Sequence, residues 1–200
     1  MSAQVSYFDS IVKSYVDVPT ENGIEVVSFL EATESLVSLF DLLHATAFAP
    51  VKSDMNGNVA KIRKKYLENP TEYTTLQKIV ESEVGLGSKR VATQGLLWLK
   101  RGLRFICEAL KQNSSRPTEE LSVSFNEAYA RTLKKYHSFL IAPIFSLAMK
   151  ACPYRVDFYK KLGPDPVKVQ VELKDWLEAL DKIVNTLDEF YAQGNHEKGL

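Results

Sequence analysis

Cysteine and histidine are scarce in this chain of 200 residues, which holds two of the first and three of the second. Cys107 and Cys152 lie in apolar helical contexts, with neither a CxxC spacing nor a neighbouring histidine. That excludes a zinc site and leaves buried free thiols as the expectation rather than a disulfide. His44, His137 and His196 show no spacing suited to a metal. Charge of one sign is lacking too: Lys plus Arg and Asp plus Glu number 25 each, so no net field recruits nucleic acid. No run of about 18 apolar residues occurs, so no membrane span is expected. The opening "MSAQVSYFDSIVKSY" lacks the basic and apolar parts of a secretory signal. A soluble, cytoplasmic protein is expected. GxSxG, HExxH, a P-loop and GxGxxG are all missing, so neither an enzyme nor a cofactor is expected.

What is present is helical patterning. With 45% hydrophobic and 25% charged residues the chain has material for one sizeable core, and a single domain over residues 1–200 is expected. "EVVSFLEATESLVSLFDLLHA" places Val26, Phe29, Leu30, Leu36, Val37, Phe40 and Leu43 on one stripe. "KVQVELKDWLEALDKIVNTLDEFY" repeats the pattern from Leu173 to Tyr191. Between them the spacing predicts helices near 53–68, 71–84, 88–112, 118–136, 138–150 and 154–162. Short breaks separate them at "ENPTEY", "GLGS", "NSSRPTEE", "ACPY" and "GPDP". "ATQGLLWLKRGLRFICEALK" is apolar around most of its circumference and reads as a central helix. Its Gly95 and Gly102 each cost a helix about 1 kcal/mol, which predicts close approach of another helix or a ligand there.

In "VKSDMNGNVAKIRKKYLENP", Asp54, Asn58 and Lys61 fall at i, i+4 and i+7 and share one helical face. Taken alone they suit an ordinary solvated surface, with Asp54 near the helix start and Lys61 paired to it or to water. Gly57 beside Asn58 weakens that account, because it spoils a helix for no visible internal reason. Trp98 and His137, each taken alone, suit a packed core.

"FAPVKSDMNGNVAKIRKKY", "GLLWLKRGLRF", "LKKYHSFLIAPIFSLAM" and "ACPYRVDFYKKLG" together resemble the glycolipid transfer protein family, most closely its fungal branch, over nearly the whole chain. The resemblance implies an all-α, two-layer helical sandwich of about eight helices enclosing an apolar lipid cavity. It also implies that one glycosphingolipid, such as galactosyl-, glucosyl- or lactosylceramide, is bound by a monomer. Asp54 would then accept from the first sugar and from the ceramide amide N–H, and Asn58 and Lys61 would bind sugar hydroxyls. Trp98 would lie under the sugar ring, and His137 would bond the amide carbonyl. These residue types suit the chemistry. Sugar hydroxyls both donate and accept, which a carboxylate, an amide and an ammonium together satisfy. The ceramide-1-phosphate branch of the family carries a cation at the position of Asn58 and an Arg at that of Trp98. Asn58 and Trp98 therefore argue for sugar over phosphate.

By the same resemblance Phe40, Leu43, Phe48, Val51, Phe105, Leu133, Phe145 and Phe158 would line the chain cavity. Plain core packing accounts for any single one of them equally well. Phe139, Ile141 and Pro143 would touch the membrane, with Lys135, Lys150 and Arg155 nearby; Phe139 stands where the animal branch has Trp. The implied activity is energy-independent transfer of glycolipid between membranes through transient peripheral contact. A glycolipid sensor or interaction module is the alternative, and a ceramide-1-phosphate transfer protein a weaker one.

Overall fold

The structure, a computed structural model, describes residues 5–44 and 46–200. It is built from α1 (Tyr7–Ser10), α2 (Val26–His44), α3 (Ala49–Glu68), α4 (Leu76–Ser82), α5 (Val91–Ser115), α6 (Leu121–Thr132), α7 (Ala142–Lys150), α8 (Arg155–Leu162) and α9 (Pro166–Gln193). Tight 3-10 turns lie at Tyr15–Asp17, Gly87–Lys89 and Lys134–Tyr136. Among the described residues there are isolated bridges but no strand, as an all-α chain requires. The helix beyond the eight expected from periodicity is α1, four residues long. It is held by a capping box in which Ser6 and Asp9 satisfy each other's backbone N–H groups, a device too short to show as apolar spacing.

α5 is the central helix, packed by α3, α6 and α9, while α2 lies against α3 and α8. The start of α5 is fixed from inside the protein. The buried Glu83 carboxylate accepts from the N–H groups of Ala92 and Thr93 and from the Thr93 hydroxyl, at 2.7–3.1 Å. That supplies acceptors to a helix end with no capping side chain of its own. Along its outer edge α5 meets α9 through a polar seam. Lys100 pairs with Asp188 at 2.8 Å, and Arg104 reaches Asp181 and Asp188 at 2.9 Å. The apolar core runs beneath this seam. Trp176 of α9 is buried in it edge-on to Tyr15, with centroids 5.5 Å apart. Cys107 is buried, Cys152 half-buried, and both are free thiols.

Three predicted elements are shorter in the structure, each for a local reason. Residues 71–75 precede α4, because the Thr75 side chain accepts from Lys78 N and so caps the helix there. α7 begins at Ala142 rather than 138, with Pro143 in its first turn, the one helical place that tolerates a missing N–H. The 118–136 prediction fails at both ends. Glu120 carries the cap position with extended backbone, and its carboxylate accepts from Arg155 N at 2.8 Å. At the other end α6 stops at Thr132 and tightens into the 134–136 turn, after which His137 is extended at φ −96°, ψ 133°. That break directs His137 away from the helix surface and towards α5.

Candidate headgroup site

Asp54, Asn58 and Lys61 stand along α3 as a relay. Lys61 Nζ donates to Asn58 Oδ1 at 3.0 Å, and Asn58 Nδ2 donates to Asp54 Oδ2 at 3.2 Å. Asn58 is only 2% exposed, so the plain reading of a solvated amide fails at this position. A buried amide whose acceptor and donor are both engaged sets the orientation of its two charged neighbours. The face is brought against α5 by Gly95. A Cβ there would lie 3.3 Å from Asn58 O and from Lys61 Cβ. The close approach expected at Gly95 is therefore a helix contact. At Gly102 a Cβ would meet nothing within 4 Å, and that position borders open space instead.

Trp98, one turn beyond Gln94 on α5, is half-buried and stacks at 20° on His137, with ring centroids 6.2 Å apart. His137 also contacts Phe145 at 4.4 Å, and its Nδ1 lies 3.2 Å from the Tyr129 hydroxyl. These groups enclose one cleft of about 470 Å³. Asp54, Asn58, Lys61, Trp98 and His137 all line it, together with Gln94, Tyr136, Ser138, Ile141, Ile144 and Phe145. Burial raises the Asp54 pKa above the usual carboxylate value, against the opposing pull of Lys61 and His137. Burial likewise lowers the His137 pKa, with Asp54 opposing. The cleft thus presents a carboxylate, an amide, an ammonium, an indole face and a neutral imidazole.

Below it lies an apolar crevice of about 30 Å³. Val51, Met55, Gly102, Phe105, Ile106, Leu133 and Phe145 line it, with Asp54, Trp98 and His137 at its rim. Of the expected chain-lining residues, Val51, Phe105, Leu133 and Phe145 are placed there. Phe40, Leu43, Phe48 and Phe158 are not. Phe40 and Phe48 stack on each other at 5.3 Å, and Phe48 meets Phe125, which in turn meets Phe105. Leu43 and Phe158 are fully packed as well. All four belong to the hydrophobic core, with Phe40 and Phe48 closed in by aromatic neighbours.

Beside the cleft an apolar surface extends into solvent. Phe139 is 84% exposed, Leu140 67% and Leu147 68%, with Ile141, Pro143 and Ile144 also exposed. Leu140, Ile144 and Leu147 belong to this surface although the sequence reading omitted them; helical spacing from Ile144 to Leu147 is the signal that could have found them. Lys135 and Lys150, expected near it, are exposed. Arg155 does not, since its guanidinium is held by Asn113 and by the ring of Tyr159. Gln94 and Tyr136 were also missed as cleft residues, and the step of four from Gln94 to Trp98 marks the first of them.

Residues 24–164 match the family model described as glycolipid transfer protein (GLTP). A glycolipid transfer protein of Aureobasidium melanogenum is 52% identical over 188 residues, covering 94% of this chain and 93% of the relative. The solved structure of HET-C2, a fungal glycolipid transfer protein, superposes with a TM-score of 0.89 at 52% identity, covering 94% of this chain and 97% of that one. A structure showing how FAPP2 selects simple glycosphingolipids using the GLTP fold superposes at 0.88, with 32% identity and 98% and 99% coverage. The chain also spans 38% of the length of the longer pleckstrin homology domain-containing family A member 8 of Homo sapiens, at 34% identity. With a family model matched across residues 24–164, and relatives alike over nearly its full length, this chain belongs to the glycolipid transfer protein family.

Proposed function

We propose that this protein binds one glycosphingolipid and carries it between membranes without energy input or chemical change. The observation that supports this most directly is the Lys61–Asn58–Asp54 relay facing Trp98 and His137 across one cleft whose floor is apolar. In this reading the first sugar lies on the Trp98 indole, with hydroxyls on Asp54, Asn58 and Lys61. The ceramide amide N–H donates to Asp54. With Tyr129 O–H donating to Nδ1 of a neutral His137, Nε2–H is free to donate to the amide carbonyl. A phosphate dianion in place of the sugar would face the Asp54 carboxylate with only Lys61 beside it, which disfavours ceramide-1-phosphate.

The lipid chains enter between Phe105, Leu133 and Phe145, where the crevice widens as side chains part. Burying them removes the cost of about 0.8 kcal/mol per methylene that makes unaided desorption slow. The exposed surface around Phe139, Leu140 and Leu147 makes the transient membrane contact, on the cytoplasmic side, with the protein acting as a monomer. The test is transfer of a fluorescent galactosyl- or lactosylceramide between vesicles. Asp54→Val and Trp98→Ala are expected to abolish it while helical circular dichroism stays native. Undiminished transfer in both variants overturns the proposal.

A further inference from the structure

Trp98 has a neighbour that the headgroup reading does not use. Arg101 follows it by three residues on α5, so the two side chains share a face of the helix. The Arg101 guanidinium lies 3.7 Å from the centroid of the Tyr136 ring and 5.1 Å from that of Trp98. Its Nη2 meets Glu197 Oε2 at 3.2 Å, and Glu197 is held in turn by Lys100 at 2.9 Å. The Arg101 side chain is only 14% exposed, and its Nε–H is buried with no acceptor among the described residues. An arginine placed here for ion pairing alone would use that edge. Leaving one donor unsatisfied is costly, and such sites call for an explanation. The explanation the geometry offers is stacking: a flat cation wedged between two rings fixes their planes in a way a lysine ammonium cannot.

We propose that Arg101 is a positioning residue for the sugar platform, setting the plane of Trp98 and the adjoining Tyr136 wall, and that Glu197 holds Arg101 in that place. The inference rests on the glycolipid reading of the cleft. It makes the segment around Glu197, which does not line the cleft, part of how the sugar is recognised. Through Arg101, the contacts of residues 196–198 with Arg90, Lys100 and Arg101 become linked to headgroup affinity.

The test separates sugar recognition from chain binding. Affinities for short-chain fluorescent glucosylceramide and for ceramide with the same chains are measured in wild type, Arg101→Gln, Arg101→Lys and Glu197→Gln. The wild type is expected to prefer the sugar-bearing lipid. Arg101→Gln reduces glucosylceramide affinity roughly three- to tenfold with ceramide affinity unchanged. Arg101→Lys behaves like Arg101→Gln, because charge without a plane does not stack. Glu197→Gln, a half-exposed position that does not threaten folding, gives a smaller loss of the same kind. Equal losses for both lipids, full rescue by Lys, or no change in Arg101→Gln and Glu197→Gln overturns the proposal. A wild type that does not distinguish the two lipids overturns the glycolipid reading itself.

Discussion

Asp54 and His137 act on each other's titration in the cleft, and burial moves both towards their neutral forms. For His137 the folded-state pKa lies below the ordinary 6.5, so the ring is neutral at pH 7 and stays neutral further into acid than a free histidine. For Asp54 the folded-state pKa lies above 3.8, so its charge is lost earlier on acidification than that of a free aspartate. Because Nε2–H of His137 donates whether or not Nδ1 is protonated, the acid limb of glycolipid affinity is expected to follow the Asp54 carboxylate, falling as that group takes its proton. Asp54→Asn lowers affinity about 10- to 100-fold at neutral pH by removing a charge-assisted acceptor. It also removes the acid limb, which belongs to the carboxylate. Titrating lipid binding against pH in both proteins checks each statement. At this scale helical spacing put Asp54, Asn58 and Lys61 on one face, but only the resemblance to the family set them apart from an ordinary solvated surface. What stayed hidden was the burial of Asn58 and the cleft placement of Tyr136, since each depends on packing between elements rather than on spacing along one helix.

α3 and α5 form the element pair on which the site depends, and their two glycines have opposite consequences. Gly95→Ala places a methyl 3.3 Å from Asn58 O and from the Lys61 side chain. Overpacking of about 1–3 kcal/mol outweighs the roughly 1 kcal/mol of helix propensity that alanine brings. Thermal denaturation is expected to show a lower Tm, and binding assays a lower affinity for glycolipid, as α3 is pushed away with its relay. Gly102→Ala meets no such contact and keeps the propensity gain, so its Tm rises by a few degrees. Its methyl projects beside the apolar crevice, and long-chain glycolipid binds more weakly than in wild type. A lower Tm for Gly102→Ala would contradict this assignment. The helices themselves were legible because long amphipathic segments announce their period. The break after Thr132 was not, because no local residue demands it: Leu133 and Tyr129 turn into the core while Tyr136 and His137 turn to meet α5.

On the scale of the whole molecule, the polar cleft and the apolar surface lie side by side, since Ile141 and Ile144 line the cleft and also reach solvent in that surface. In the proposed function, a lipid passing between bilayer and cleft need not cross an aqueous gap. Leu140→Ser combined with Leu147→Ser is expected to lower vesicle association tenfold or more, as burying each leucine contributes of order 1.5–3 kcal/mol. Affinity for a short-chain glycolipid in solution stays unchanged. Sedimentation with vesicles and binding in solution, run in parallel, separate the two effects. The sequence pointed to this surface through Phe139, Ile141 and Pro143, whereas its full extent depends on which faces of α7 the rest of the fold leaves uncovered. The placement of the two tryptophans has an optical consequence. Trp176 lies inside the core against Tyr15, shielded from any ligand, whereas Trp98 forms a wall of the cleft. Their emission therefore divides into a constant background and a signal that changes with what lies on the indole of Trp98. With Trp176 replaced by Phe, the protein becomes a single-fluorophore reporter of its own cleft, readable without any label on the lipid.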